Sequence, residues 1–206
     1  MLRIACFGDS NTFGFDPRMG GFGRYPESVR WTGRLNALPG VKVRNLGMNG
    51  AGIPFNANYQ SEVYRAEKPD VITVMFGSND VLEKVTYAEQ IRLSYDTGEI
   101  AERVAGSMRR FLTDLKERLE GQGEPEIILI APPSVTQGTW TDRAIIDEMK
   151  RLAPLYGKLA SDVGARFLDA SSWPLELCFD GVHLTEDGHR VFYGKVLEEL
   201  GIQGND

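Results

Sequence analysis

The chain has 206 residues, of which 42% are hydrophobic and 25% charged. This length favours one domain, residues 1–206, and the composition supplies enough apolar material for a sizeable core. With 29 acidic and 23 basic residues the formal net charge is −6. No broad cationic surface is therefore expected, which argues against a nucleic-acid partner.

Cysteine content and hydropathy restrict the function further. Cys6 and Cys178 are too few for a disulfide framework, and we expect both to be unpaired, non-catalytic thiols. The apolar stretch at residues 1–7 is too short for a signal peptide, and no apolar run approaches the length of a membrane span. The sequence therefore predicts a cytoplasmic protein without membrane insertion.

Short β-rich runs alternate with longer helical segments. Most of the runs are nearly continuously apolar, as is typical of strands covered on both faces: residues 2–7, 41–46, 71–76, 127–131 and 165–168. Helical spacing marks residues 29–38, 57–67, 99–120, 142–163 and 186–200. This alternation predicts an α/β fold, a three-layer α/β/α sandwich of flavodoxin-like type with a five-stranded parallel sheet.

Several helix ends carry local signals. Asp96 and Glu99 resemble a capping box, and Thr185 is a candidate N-cap. Gly121 and Gly164 are expected to follow the last turns of their helices.

In a parallel sheet, functional residues gather at the carboxyl ends of the strands. The segments that follow the predicted strands are residues 8–11, 47–50, 77–80, 132–134 and the stretch that leads to 180–183. These segments are the candidate site.

The chain has two histidines, His183 and His189, as candidate imidazole bases. His189 falls inside the last amphipathic helix, where a packing or surface role is expected. His183 precedes that helix and stands three residues after Asp180, on a turn that can aim both side chains at one point. An aspartate bonded to one imidazole nitrogen fixes the tautomer and leaves the other nitrogen free to accept a proton.

Ser10 follows the first predicted strand through Gly8 and Asp9, which places its hydroxyl at the sheet edge. A serine nucleophile also needs donors where negative charge develops on the substrate oxygen. Backbone amides of residues 47–52 and the Asn79 side chain can supply them. Each residue alone is more typical of a turn or a cap, but their joint occurrence favours acyl transfer.

Four sequence blocks resemble those of the SGNH hydrolases, also called GDSL esterases: Gly8-Asp9-Ser10, Asn45-Leu46-Gly47-Met48-Asn49-Gly50, Gly77-Ser78-Asn79-Asp80 and Asp180-Gly181-Val182-His183. The resemblance covers nearly the whole chain, in the family's order. It implies the SGNH hydrolase fold and no cofactor. It also implies that Ser10 is the nucleophile, His183 the general base and acid, and Asp180 the residue that orients the histidine.

The same resemblance implies an oxyanion hole formed by the backbone N–H groups of Ser10 and Gly50 and by the Asn79 side chain. Gly50 lies five residues after Asn45, the spacing usual in the family, and Gly47 is the alternative.

Asn11 stands where many relatives have leucine, a departure that concerns the lining of the acyl pocket. Asn11 and Phe13 are the expected substrate-binding residues. Residues 7–15 and 30–33 look like the arylesterase and acyltransferase branch of the family, whose members act on small acyl esters and commonly form homo-oligomers.

The hypothesis is a serine esterase that hydrolyses, or transfers, small acyl groups through an acyl-enzyme. The alternatives are a thioesterase or lysophospholipase acting on longer chains, a carbohydrate acetylesterase, and a non-enzymatic binding module. Metal and nucleotide sites are disfavoured because the sequence lacks a His-Glu-x-x-His pattern and a phosphate loop. The lack of a Gly-x-Ser-x-Gly elbow argues against the α/β-hydrolase fold.

Two loops are expected to influence the substrate. Residues 16–27 are too glycine-rich for regular structure and are expected to form a lid or a subunit contact beside Ser10. Residues 132–141 carry Trp140, which is expected to wall the pocket or to pack on another subunit. Trp31 and Trp173 are expected in the core.

Overall fold

The computed structural model describes residues 1–90 and 98–202. Its strands are β1 (Leu2–Gly8), β2 (Val41–Gly47), β3 (Val71–Met75), β4 (Glu126–Ala131) and β5 (Arg166–Asp169). Its α-helices are α1 (Ser10–Phe13), α2 (Trp31–Asn36), α3 (Asn58–Glu67), α4 (Ser78–Gln90), α5 (Gly98–Leu119), α6 (Arg143–Val163) and α7 (Glu186–Leu200). Short 3₁₀ segments are Pro17–Phe22 and Ala170–Ser172.

The strands form one parallel sheet in the order β2-β1-β3-β4-β5. Strand β1 pairs with both β2 and β3, so the chain changes direction across the sheet at this point. Ligands of such sheets bind beyond the carboxyl ends of the strands beside this switch. The topology therefore places the candidate site beyond the ends of β1, β2 and β3.

Alternating side chains of the buried strands supply two cores. Phe7 packs on the face covered by α3, α4, α5 and α6, whereas its neighbour Cys6 packs on the face covered by α2 and α7. This arrangement confirms the expected three layers and the five-stranded parallel sheet. Trp31 is fully buried and Trp173 packs against the second core, both as expected.

The predicted strands agree with the structure to within one residue at each end. The segment predicted at 29–38 forms the shorter helix α2, and α4 was not predicted. Its first residues belong to the polar block 77–80, for which the sequence predicts no helix. The helical signal was the apolar set Val81, Val85 and Ala88, which is buried along one face.

The 16–27 segment also differs from the expectation of irregular structure. Asp16 caps a 3₁₀ segment by accepting the Arg18 N–H, and Pro17 occupies its first position. At Gly20, with φ of 73°, the 3₁₀ segment is interrupted. The Asp16 cap and Pro17 therefore support regular structure in a segment whose glycine content predicts irregular structure.

The predicted helix ends are confirmed where the structure describes them. Thr185 Oγ1 accepts the Gly188 N–H, and Gly164 is left-handed at the end of α6. Gly121 also has a positive φ, two residues after α5 ends. Asp96 lies outside the described residues.

Both cysteines are free thiols, as predicted. Burial raises the pKa of Cys6 to about 12, so this thiol is protonated at neutral pH. Among the residues described, no helix combines the length and apolar character needed to cross a bilayer.

Candidate active site

Ser10 stands at the first turn of α1, directly beyond the carboxyl end of β1. Asp9 is the N-cap of this helix and accepts the Asn11 N–H at 2.9 Å. The turn needs glycine at position 8, because a Cβ there would collide with the Thr12 side chain and lie 2.8 Å from the Met75 carbonyl oxygen. This close packing fixes the direction in which Ser10 leaves the sheet.

The structure brings the three expected catalytic side chains into one hydrogen-bonded line. His183 Nε2 lies 2.8 Å from Ser10 Oγ, and His183 Nδ1 lies 2.7 Å from Asp180 Oδ2. The three residues are buried, with exposed fractions of 6% for Ser10, 2% for His183 and 0% for Asp180. With the proton on Nδ1, the imidazole donates to Asp180 and accepts from the serine hydroxyl.

Asp180 is held as a carboxylate by its surroundings. Burial opposes ionisation, but hydrogen bonds from the His183 side chain and from the Val182 and His183 N–H groups hold its pKa below the ordinary value. Asp180 is therefore negatively charged at neutral pH.

Asn11 joins the turn that carries Ser10 to the loop that carries His183. Its Nδ2 donates to the Val182 carbonyl oxygen at 3.1 Å, and its Oδ1 accepts the Leu184 N–H at 3.0 Å. The buried side chain of Asn11 therefore bonds the residues on both sides of His183, and its role in substrate binding stays a prediction. The sequence indicated proximity to Ser10 but not the direction of this side chain.

Phe13 is the other residue predicted to bind substrate, which stays a prediction, and it contacts Arg24. Its ring lies under the Arg24 guanidinium, with the Arg24 Cζ atom 4.0 Å from the ring centroid. Phe15, which was not predicted, contacts His183 with ring centroids 4.7 Å apart. The chain turns at left-handed Gly14, which separates the directions of these two phenylalanines.

Trp140 contacts the His183 imidazole, and its role as a pocket wall or a subunit contact stays a prediction. Its ring centroid is 5.2 Å from that of His183, and the residue is 52% exposed. Phe15 and Trp140 therefore flank the imidazole with apolar rings.

The candidate oxyanion donors lie on the two neighbouring strand ends. Asn79, in the first turn of α4, donates one Nδ2 hydrogen to the Ala51 carbonyl oxygen at 2.9 Å. Gly47 already donates its N–H to Asn45 Oδ1 at 3.0 Å. The Gly50 N–H, by contrast, meets no acceptor within the described part of the chain. These contacts favour Gly50 over Gly47 as the backbone donor.

His189, the other histidine, is fully buried in α7 with its ring edge against Tyr25. Burial, with help from Arg30 and Arg34, lowers its pKa to about 3. His189 is therefore neutral at ordinary pH and has the packing role expected.

The 3₁₀ segment is tied to the start of α7. Arg18 pairs with Asp16 at 2.9 Å and with Glu186 at 3.1 Å. The role of residues 16–27 as a lid or a subunit contact stays a prediction.

A model of the GDSL-like lipase/acylhydrolase family matches residues 6–191. The chain belongs to this family. The resemblance indicated by the four blocks is thereby confirmed at the family level.

An acetylxylan esterase from Xylanibacter ruminicola is 25% identical over 203 residues, which are 91% of this chain and 40% of that protein. The chain thus spans about two fifths of that relative's length. A carbohydrate acetylesterase family member from Sinorhizobium meliloti is 26% identical, with a TM-score of 0.75 over 98% of this chain and 97% of the other. The M. smegmatis aryl esterase structure is 24% identical with a TM-score of 0.79, over 98% and 99% of the two chains, and supports the fold.

The buried carboxyl group of Asp9 makes the stability of the fold depend on pH. Burial raises its pKa from 3.8 to about 6, against the lowering effect of the Asn11 hydrogen bond and the charge of His183. Between these values the folded state retains a proton that the unfolded state has released. The ionised side chain therefore destabilises the fold above pH 6, by about 3 kcal/mol at 1.36 kcal/mol per pKa unit.

We expect Asp9→Asn to lose this dependence. The free energy of unfolding of the variant minus that of the natural chain should be about 2 kcal/mol more positive at pH 8 than at pH 4. Urea unfolding of both proteins at the two pH values measures it. A difference that is constant with pH would contradict the assignment.

Proposed function

We propose that this protein is a serine esterase that hydrolyses small acyl esters through an acyl-enzyme. The hydrogen-bonded line from Asp180 through His183 to Ser10 carries the proposal. Family membership supports it, since the matched family comprises lipases and acylhydrolases.

The proposed reaction has two steps. Ser10 Oγ attacks the ester carbonyl carbon while His183 Nε2 takes the hydroxyl proton, and Asp180 stabilises the imidazolium. As the carbon–oxygen bond to the alcohol breaks, His183 returns this proton to the departing alcohol oxygen. Water then attacks the acyl-enzyme with the same proton transfers, which releases the acid and restores Ser10. No cofactor takes part in these steps.

The negative charge that develops on the substrate oxygen requires fixed donors. We assign this role to the N–H groups of Ser10 and Gly50 and to the Asn79 amide. Ser10 is also the first residue of α1, so its N–H is one of those that a helix leaves without an internal acceptor. Donors held in place before the reaction stabilise the charge at little reorganisation cost.

Replacing Asn79 with alanine removes one of these donors. We expect kcat to fall by about 10²–10³-fold, with a smaller change in KM. Steady-state kinetics on p-nitrophenyl acetate measures the effect, with circular dichroism to verify the fold. Asn36→Ala is a control, because Asn36 bonds Glu27 and the Val43 N–H away from the site. Unaltered kcat in folded Asn79→Ala would exclude the amide from the oxyanion hole.

The rings around His183 are placed to form the part of the binding site that contacts the alcohol group of the substrate. Because His183 returns the proton to the leaving alcohol, that alcohol departs beside the imidazole. Half-exposed Trp140 is then available to contact it. The names of the relatives, acetylxylan esterase and carbohydrate acetylesterase, support a short acyl group carried on a ring-shaped alcohol.

A cavity of about 480 Å³ favours the alternative of a longer acyl chain. It lies beside the 50–57 loop, and Leu46, Met48 and Tyr59 contribute to its apolar lining. The lining includes neither Ser10 nor His183. We therefore propose the reaction on short acyl groups. A series of esters with increasing acyl-chain length tests it against the reaction on long acyl chains.

In that series, kcat/KM is measured on p-nitrophenyl esters from acetate to laurate. If the cavity bound the acyl chain, each buried methylene would contribute about 0.8 kcal/mol and raise kcat/KM several-fold. We expect a maximum at acetate to butyrate. A maximum at octanoate or longer would favour the thioesterase or lysophospholipase function. Assembly into a homo-oligomer is part of the proposal and is tested by light scattering.

A further inference from the structure

The junction between β3 and α4 contacts the 50–57 loop through two consecutive side chains. Asn79 donates to the Ala51 carbonyl oxygen, and Asp80 Oδ2 accepts the Ile53 N–H at 3.0 Å. The proposed mechanism uses Asn79 but assigns no role to Asp80.

Asp80 lies directly against the backbone that precedes Ile53. A Cβ on Gly52 would stand 3.2 Å from both of its carboxylate oxygens. Burial raises the pKa of Asp80, and the Ile53 hydrogen bond and the charge of Lys84 oppose that rise. The half-buried carboxylate therefore has a defined partner in the loop rather than a free position in solvent.

Gly50 has little of its own to fix its orientation. It is exposed, lacks a side chain, and has a φ of 71°, a left-handed conformation that glycine adopts at low cost. The Ala51 N–H donates to the Met48 carbonyl oxygen at 3.2 Å and closes a turn around Gly50. Beyond this turn, Ala51 and Ile53 bond to Asn79 and Asp80, which hold the turn against α4.

We propose that Asp80 is a positioning residue that holds residues 50–53 so that the Gly50 N–H points into the oxyanion hole. This inference rests on the proposed esterase function. Asp80 accepts from the loop while Asn79 donates to it, so the two bonds fix the loop at points two residues apart. A donor displaced by about 1 Å can lose most of its catalytic effect.

The test compares Asp80→Ala with Asp80→Asn on p-nitrophenyl acetate. Asp80→Ala removes the acceptor, and we expect kcat to fall by about 10–100-fold with KM changed less than about 2-fold. Asp80→Asn keeps an acceptor oxygen and should retain kcat within about 3-fold. Loss of kcat in Asp80→Asn equal to that in Asp80→Ala would overturn the proposal.

Asp70→Ala is the matched control. Asp70 also accepts a backbone N–H, that of Arg3 at 2.7 Å. This bond lies where β1 and β3 begin, at the opposite end of the strands from the site. We expect it to lower the thermal midpoint without lowering kcat. Equal kcat losses in Asp70→Ala and Asp80→Ala would show a general stability effect and overturn positioning.

A second variant keeps the test decisive if Asp80→Ala does not fold. Gly52→Ala retains every hydrogen-bonding group but pushes the loop and the Asp80 carboxylate apart by a few tenths of an ångström. We expect a fall in kcat of about 3–10-fold. Gly106→Ala, with no atom closer than 3.8 Å to its Cβ, should leave kcat unchanged. An unchanged kcat in Gly52→Ala would also contradict the proposal.

The outcomes separate this inference from the function on which it rests. Natural protein without Ser10-dependent esterase activity would overturn both. Active natural protein with an unaltered kcat in Asp80→Ala would overturn only the positioning role.

Discussion

Replacement of Ser10 with alanine is expected to lower kcat on p-nitrophenyl acetate by about 10⁶-fold. Alanine cannot form the acyl-enzyme, and water in its place has neither the position nor the activation of the serine hydroxyl. The variant should fold normally, because Ser10 Oγ bonds His183 but holds no backbone group. The measurement is initial rate with the pure protein, together with the thermal midpoint.

Ser134→Ala is the control for this substitution. Ser134 donates its hydroxyl to the Ser171 carbonyl oxygen in the loop after β4. Its replacement should leave kcat close to that of the natural chain. Retention of a tenth or more of the activity in Ser10→Ala would contradict the assignment of the nucleophile.

Replacement of Asp180 with asparagine is expected to lower kcat by about 10⁴-fold. The asparagine oxygen can still accept the Val182 and His183 N–H groups, so the turn should survive. The amide, however, donates to His183 Nδ1 and leaves the proton on Nε2, where it blocks acceptance of the serine proton. Steady-state kinetics measures the loss.

Asp142→Asn gives a matched comparison. Asp142 caps α6 by accepting the Ile145 N–H, and it bonds neither Ser10 nor His183. It should alter stability and not kcat. If Asp180→Asn retained activity within about tenfold of the natural chain, the orienting role of this carboxylate would be wrong.

The fold was predictable because buried parallel strands have a strong sequence signature. All five residues of β3 are buried, and such runs separated by amphipathic helices permit few other architectures. The spatial proximity of Ser10 and His183 was also predictable, since both follow strands at one sheet edge. Their hydrogen-bond distance was not, because it depends on the packing of Gly8 and the bracing by Asn11.

Side-chain direction was the information that the sequence lacked. Asn11 and Phe13 both follow Ser10 closely in the sequence, but the Asn11 side chain bonds the loop that carries His183, whereas the Phe13 ring lies under Arg24. Phe15 reaches His183 only because the chain reverses at Gly14. Asp80 belongs to one of the four sequence blocks, but its bond to Ile53 depends on where the 50–57 loop folds back. These features follow from tertiary packing rather than from local pattern.

The most direct test of the central claim is labelling with a p-nitrophenyl alkylphosphonate, followed by peptide mass spectrometry. The account predicts a stoichiometric covalent adduct on Ser10, formed with release of p-nitrophenol, and a rate that collapses in His183→Ala. Absence of an adduct in folded protein, or an adduct on another residue that leaves Ser10 unmodified, would contradict it.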